Sequence, residues 1–390
     1  MTSESKLKEV VVAAYGRTSS CKAGKGSFAR VHPVEYGAQA LLGVLNKVPQ
    51  LRPEDIGDVI VGCAMPFGVQ GGNMARLLVQ RAGLPDTVTA QTVNRYCSSG
   101  LQTISSAANA IRCGEEEVMV AGGVESMSLV PMLVGAEDAN PWLMENRPEV
   151  YTPMGITAEN VARRWGISRA DMDALAAESH NRAARAQAQG LFDGQIIPIT
   201  IPGPDGREVT VTRDEGIRPG CTAESLAQLK PCFQEDGAVT AATSSQRTDG
   251  AAFVVLTSGE KARELGVKPL ARFLSYATGG VPAEVMGIGP VEAVPKVLKK
   301  TGVTLEQMDV IELNEAFAAQ ALAVMRTLGM DPAKVNPWGG AMALGHPLGA
   351  TGAMLTCKAL SYLAHTGGRY GLVTMCIGGG MGAAGIFERM

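Results

Sequence analysis

Histidine is scarce in this chain: 390 residues hold four, at 32, 180, 346 and 365, and aromatic residues make up only 5%. Any imidazole base must therefore come from a list of four. The eight cysteines form no Cys-x-x-Cys and no Cys/His cluster, so the ligand spacing of zinc sites is absent and no metal is expected. In so long and core-rich a chain the cysteines do not read as a disulfide framework either, and free thiols in a reducing compartment are expected. No run reaches the ~20 apolar residues needed to span a bilayer. The opening residues lack the apolar core of a signal peptide, and Phe387-Glu-Arg-Met390 is not an address of the Ser-Lys-Leu type, which points to the cytoplasm. A charge excess is missing too: 35 basic against 38 acidic residues leave −3. Without a basic surplus, a nucleic-acid partner is not expected.

Glycine is what the chain has in excess. The 47 glycines are about 12% of the residues, against a usual ~7%. They follow no Gly-X-Y period and no low-complexity run, so collagen and linker readings fail. Scattered glycines in an apolar chain suggest tight loops where backbone approaches something closely. At ~100–200 residues per domain, the length suggests two or three domains.

Short β-branched runs alternate with Ala/Leu-rich helical patterns. Val10-Val11-Val12 precedes an amphipathic stretch from Val34 to Val48, then Asp58-Val59-Ile60-Val61, helix patterns over Asn73–Ala82 and Ser98–Ile111, and the buried run Val118–Ala121. Such alternation predicts a layered α/β fold built from βαβ units. The end of the chain repeats the plan. Gly289–Lys300 resembles Gly37–Val48, and Asp309-Val310-Ile311 matches Asp58-Val59-Ile60. Cys97-Ser-Ser-Gly100 before a small-residue helix parallels His346-Pro-Leu-Gly349, and Val118–Gly123 parallels Leu372–Gly379. Two related halves are expected: residues 1–120, completed by about 245–270, and 271–390. Between them, 121–244 reads as an inserted loop or cap domain. It holds a Pro- and Met-rich stretch (Met127–Tyr151), one long helix (Ile156–Gln189) and a short strand (Glu208–Thr212). Buried-strand character resumes over Thr240–Thr257.

Four places carry candidate chemistry. Cys97 lies between a short strand and a small-residue helix, where helix amides and dipole stabilise a thiolate; a buried structural cysteine is the alternative. His346 is set among glycines on the loop that mirrors Cys97, with a capping role as the alternative. His32 and His365 occupy polar surroundings and His180 an exposed-looking helix face. Cys376 opens Cys376-Ile-Gly-Gly-Gly380, whose amides suit an oxyanion; a nucleotide-phosphate loop competes, although no Gly-x-Gly-x-x-Gly or Gly-x-x-x-x-Gly-Lys pattern is present. Asn314 ends a strand, where α/β folds place ligand groups, or else caps the next helix.

Taken together, Asn94-Arg-Tyr-Cys-Ser-Ser-Gly100, Asn314-Glu-Ala-Phe-Ala318, Gly345-His-Pro-Leu-Gly349 and Cys376-Ile-Gly-Gly-Gly380 resemble the four signature blocks of the thiolase family, in order along the whole chain. The resemblance implies a five-layer αβαβα sandwich of two related halves with an inserted loop domain. It makes Cys97 the nucleophile that carries the acyl group, His346 its base and Cys376 the second proton carrier. Asn314 would hold a water that stabilises an oxyanion with His346, and the amides of Cys97 and Gly378 would form a second oxyanion hole. Arg218 and Ser225 resemble contacts to the nucleotide and pantetheine of coenzyme A, Ala241 and Ser245 pantetheine contacts, and Met154 and Met286 the methionines flanking the acyl pocket. Coenzyme A would be a co-substrate, with no permanently bound cofactor. A homodimer or homotetramer is implied, with a β-oxidation enzyme as a possible partner.

Departures from the family pattern bear on substrate. Pro153 precedes Met154-Gly155 where short-chain biosynthetic members carry His, and residues 244–250 are closer to degradative members. Tyr96 and Thr243 replace a common Gln and Asn. The expectation is thiolytic cleavage of 3-ketoacyl-CoA to acetyl-CoA and a shortened acyl-CoA. A short-chain acetoacetyl-CoA thiolase is the alternative within the family; a Cys/His thioesterase and a non-catalytic lipid carrier are rivals outside it. Ten of the 47 glycines fall in residues 339–352 and 378–385, and these are expected to open the loops to a thioester.

Overall fold

Apolar side chains alternate along the strands in two registers, and both are buried. The computed structural model describes residues 7–132, 138–203 and 206–390. The first six residues, read above for a signal peptide, and residues 133–137 of the Pro- and Met-rich stretch lie outside the described residues, as do 204–205 of the inserted segment. The strands are β1 (Val10–Arg17), β2 (Cys21–Lys22), β3 (Asp58–Gly62), β4 (Thr89–Val93), β5 (Val118–Glu125) and β6 (Ile199–Pro202). They continue with β7 (Glu208–Val211), β8 (Thr248–Ser258), β9 (Ala271–Gly280), β10 (Val310–Leu313), β11 (Tyr370–Ile377) and β12 (Met381–Arg389).

In β8, Ala251, Phe253 and Val255 enter one core cluster while Ala252, Val254 and Leu256 enter another. β5 divides likewise, with Val118 and Val120 opposite Met119 and Ala121. Strands covered on both faces read as unbroken apolar runs, which is why the sequence showed them so clearly. The first cluster is closed by Tyr36, Leu41 and Leu78 from the helices Pro33–Leu45 and Met74–Arg81. The second is filled by Leu101 and Ile104 of Ser99–Cys113 and by Ala353 and Leu360 of Leu348–Thr366. Those residues also meet Phe273, Val373 and Phe387 from β9, β11 and β12. On the far side, Leu372 and Ile386 pack on Val294 and Val297 of Gly289–Thr301 and on Val324 of Ala318–Leu328. The order of layers is helix, half-sheet, central helix pair, half-sheet, helix.

The main sheet runs β4-β3-β5-β8-β1-β9-β12-β11-β10. Within it β3 and β5 are parallel, as are β10 and β11, and each is followed by two antiparallel pairings, β5–β8–β1 and β11–β12–β9. This is the repeat read from the sequence. β4 finds its echo in a single parallel bridge from Ile311 to Val335.

Two expectations change. The long helix over 156–189 is two helices, Met154–Trp165 and Arg169–Ala188, broken at Gly166 with φ +61°. The buried stretch from Thr240 becomes a strand only at Thr248; residues 240–247 form a loop whose Ser244 bridges to Phe317.

The central helices meet backbone to backbone. A Cβ on Gly100 would lie 2.9 Å from both Gly349 O and Ala353 N, and one on Gly352 only 2.3 Å from Leu101 N. No flexible side chain is there to yield. Gly352→Ala is therefore expected to destabilise the protein by about 1–3 kcal/mol, the usual cost of overpacking a tight core. Guanidinium unfolding measures it; an unchanged midpoint would show that the helices separate at no cost.

Candidate active site

Cys97 lies in a tight turn, Tyr96–Ser98, between β4 and the helix Ser99–Cys113. Side chains hold the turn. The Tyr96 amide donates to Asn94 Oδ1 (2.8 Å), the Arg95 amide to Ser99 Oγ (2.9 Å), and Ser99 Oγ to the Tyr96 carbonyl (2.7 Å). Tyr96 is thereby fixed at φ +43°, a left-handed conformation that costs a bulky residue about 1–3 kcal/mol and marks functional loops. The Cys97 thiol is half-buried, and desolvation pushes its pKa up to about 11. The amides of Gly378 and of Cys97 itself oppose that rise by hydrogen bonding to the sulfur, while the Glu125 charge adds to it.

Cys376 is the penultimate residue of β11, inside the strand rather than after it, and fully buried. Burial raises its pKa, and the charge Cys97 would carry raises it further. The two sulfurs therefore share one environment.

His346 stands just before the helix Leu348–Thr366, and its amide donates to the Gln246 carbonyl (2.9 Å). Its Nδ1 is 2.6 Å from Thr351 Oγ1 and its Nε2 is 3.3 Å from Asn314 Nδ2. With the carboxamide so assigned, Nδ2 is a donor, so Nε2 is the unprotonated nitrogen and Nδ1–H donates to Thr351. Burial alone lowers the imidazole pKa to about 4. A neutral ring with Nε2 unprotonated, here accepting from Asn314 Nδ2, is the state a base requires. Asn314 is fixed at the end of β10 by its amide, which donates to Thr374 O (3.0 Å), and its Oδ1 is buried without a partner in the protein.

The remaining candidates divide. Met286 is buried in the apolar cluster that contains Cys376, and Met154 packs against that cluster. Met154 Sδ is 3.8 Å from where a Cβ on Gly378 would stand. Ser245 donates its amide to Ala316 O (2.9 Å), close to Asn314. Arg218 is exposed, with its amide donated to His180 Nδ1 (3.2 Å). Ala241 is exposed, and Ser225 is occupied in capping its own short helix with Thr222.

His180 is the main correction: expected on an exposed face, it is 2% exposed. It falls eight residues after buried Met172 and four after buried Ala176, a helical spacing that would have located it. Thr351 and Gln246 were also missed. Gln246 Nε2 donates to Gly216 O (2.9 Å) and Met342 O (2.8 Å), tying the 214–218 segment to the His346 loop.

A half-buried cysteine at a helix start, a second cysteine coupled to it, a neutral imidazole and a strand-end amide are the groups that acyl transfer through a cysteine requires. The chain matches the family described as "Thiolase, N-terminal domain" over residues 10–260 and "Thiolase, C-terminal domain" over 267–389. It belongs to the thiolase family. It is 50% identical over 390 residues to a 3-ketoacyl-CoA thiolase of Bacillus subtilis (strain 168), covering 98% of this chain and 100% of that one. Among solved structures it superposes with TM-score 0.92 on a Bacillus anthracis acetyl-CoA acetyltransferase (40% identity; 99% and 100% of the chains). A dimeric peroxisomal thiolase of Saccharomyces cerevisiae gives 0.90 (40% identity; 98% of each chain). No helix among the described residues is long and apolar enough to cross a membrane.

Burial also has a cost in acid. His180 and His346 both have pKa values near 4 when folded, against 6.5 ordinarily. Between those values the unfolded chain binds protons that the folded chain refuses, so stability falls as pH drops through that window. His180→Gln removes one contribution. Relative to wild type, the variant is expected to lose less stability between about pH 6.5 and 4.5. Parallel urea curves for the two proteins across that range would contradict a buried neutral His180.

Proposed function

We propose that this chain is a 3-ketoacyl-CoA thiolase of the degradative type, cleaving 3-ketoacyl-CoA with coenzyme A to acetyl-CoA and a shortened acyl-CoA, with coenzyme A as co-substrate and no permanent cofactor. The observation that carries the reading is a half-buried Cys97 coupled to a buried Cys376, with a neutral His346 just before the helix whose start touches that of the Cys97 helix, in a chain so similar to 3-ketoacyl-CoA thiolases. Cys97 gives its proton to His346 Nε2 and its sulfur attacks the 3-keto carbon. The C2–C3 bond breaks, and the departing acetyl-CoA enolate takes a proton from Cys376. The thiol of coenzyme A then gives its proton to Cys376 and attacks the Cys97 thioester. Shortened acyl-CoA leaves, and His346 returns the proton to Cys97.

With the thiol at about 11 and the imidazolium at about 4, proton transfer between them is strongly uphill in the empty site. Stabilisation of the oxyanion as it forms has to offset that cost. The amides of Cys97 and Gly378, and Asn314 beside His346, are the donors in place, and each such donor is worth ~2.7–4 kcal/mol of barrier. Met154 and Met286 would flank the acyl chain. Arg218, Ser225, Ala241 and Ser245 would line the path of coenzyme A, with Ser225 first released from its cap. In this reading residues 1–120 (with about 245–270) and 271–390 supply the site from two halves, and 121–244 covers it. The protein would act in the cytoplasm as a homodimer or homotetramer, with a β-oxidation enzyme as a possible partner.

Thiolysis across C4–C16 3-ketoacyl-CoA substrates tests the reading directly. Turnover extending beyond C4, with acetyl-CoA and a shortened CoA ester as products, is expected. Turnover confined to C4 would favour the short-chain acetoacetyl-CoA reading, and free acid as product a thioesterase. Cys97→Ala is expected to abolish both acylation and turnover, whereas Cys376→Ala retains acylation by acyl-CoA and loses thiolysis. Equal loss of acylation in both variants would contradict this division of labour.

A further inference from the structure

We propose that Glu125 and Glu315 are positioning residues for His346: two buried carboxylates, one at the end of β5 and one just beyond β10, that hold the histidine's loop on either side of His346. The inference rests on the thiolase reading above, since it matters only if His346 moves a proton.

Glu315 follows Asn314 directly. Its Oε2 accepts from Ser179 Oγ (2.6 Å) and from the Met342 amide (3.2 Å), and its Oε1 accepts from Asn336 Nδ2 (2.9 Å). Ser179 Oγ in turn accepts from the Gly340 amide (3.0 Å). Glu125 ends β5. Its Oε2 accepts from the amides of Ala64 and Gly349 (both 2.8 Å), and its Oε1 accepts from the Met65 amide (3.3 Å) and Gln70 Nε2 (2.8 Å). Met342 stands four residues before His346 and Gly349 three after it. The loop that carries the base is therefore gripped from both ends, by side chains that begin on β5 and just beyond β10.

Every partner of either carboxylate is a donor. A carboxamide in its place would turn an N–H toward another N–H, so no neutral isostere preserves the bonding. The loop is shaped to receive both groups. A Cβ on Gly340 would lie 2.2 Å from Glu315 Cδ, and one on Gly349 2.8 Å from Glu125 Oε2. Neither carboxylate has a proton-transfer step to perform in the proposed reaction. What they fix is where Nε2 points, and a displacement of ~1 Å in such a group can cost about 100-fold in rate.

The test compares Glu315→Gln, Glu125→Gln and the milder Ser179→Ala with wild type, each first shown to unfold cooperatively with a wild-type circular-dichroism spectrum. Thiolysis kcat is expected to fall about 10- to 100-fold in the two Gln variants. In Ser179→Ala, which leaves Glu315 in place, the fall is about 3- to 10-fold. KM for both substrates should stay within about 3-fold of wild type, since no binding contact is touched. Alkylation of Cys97 by iodoacetamide supplies a second readout for Glu315→Gln and Ser179→Ala. Glu125 and Cys376 are the titratable groups whose charges couple to Cys97; His346 is the base assigned to it in the reading above, and of the three only His346 is displaced in these two variants. Alkylation should slow at neutral pH, where the thiol needs its base, and rejoin the wild-type rate as pH reaches the thiol's own pKa of about 11, where it ionises unaided. Glu125 is itself coupled to Cys97, so its variant is read on kcat against KM alone. If Glu315→Gln does not fold, Ser179→Ala carries the same test. Unchanged kcat in the folded variants overturns the proposal, as does alkylation slowed equally at every pH. A wild-type protein that does not cleave 3-ketoacyl-CoA overturns the thiolase reading and this proposal with it, whereas an active wild type with insensitive variants overturns the positioning claim alone.

Discussion

The contact between Gly100 and Gly349 sets the geometry on which the site depends. Each glycine is the second residue of a central helix, and the two helix starts touch with no side chain between them. Cys97 stands two residues before one start and His346 two residues before the other. The proposed nucleophile and base therefore inherit their separation from a backbone contact at the pseudo-symmetric centre of the fold. The half-sheets, covered on their outer faces by further helices, press the pair together. Packing of this kind is stiff because interiors are as dense as organic crystals, and a reaction that moves protons between fixed groups needs that stiffness.

The electrostatics follow from the same burial. Both loops lie at helix starts, where the dipole and free amides favour an anion. Yet the Cys97 pKa rises and that of His346 falls. Desolvation outweighs the helix termini, and the resting site holds a thiol and a neutral imidazole rather than an ion pair. In the proposed reaction charge would form only when a thioester or ketone arrives to share it, under amides already aimed at the sulfur. A dry site makes those amides worth more than they would be in water.

Much of this was legible in the sequence, for identifiable reasons. Strands buried on both faces give unbroken apolar runs, so the repeat of β3 and β5 as β10 and β11 could be read by eye. Cys97, Asn314, His346 and Cys376 stood out because chemistry-bearing residues at element ends among glycines are uncommon. Other features left no such mark. Glu125 closes an otherwise apolar strand, and Glu315 hides inside the Asn314 motif; both are held by backbone amides that no spacing reveals. His180 shares a helix face with buried Met172 and Ala176, a spacing within one helix that the sequence reading passed over. The glycine excess had a different cause from the one expected. Around His346 it admits protein to protein, through Gly340, Gly349 and Gly352. At Gly378 a Cβ would make only ordinary contact, 3.8 Å from Met154 Sδ, and its amide bonds to the Cys97 sulfur.

A covalent acyl group on one particular sulfur is the most direct consequence of this account. Mixing the protein with acetyl-CoA, quenching in acid and mapping peptides by mass spectrometry reads it. The account predicts a single acetyl group on the peptide carrying Cys97, removed by added coenzyme A with re-formation of acetyl-CoA. An unmodified Cys97 peptide, or an acetyl group lodged on Cys376 instead, would contradict it.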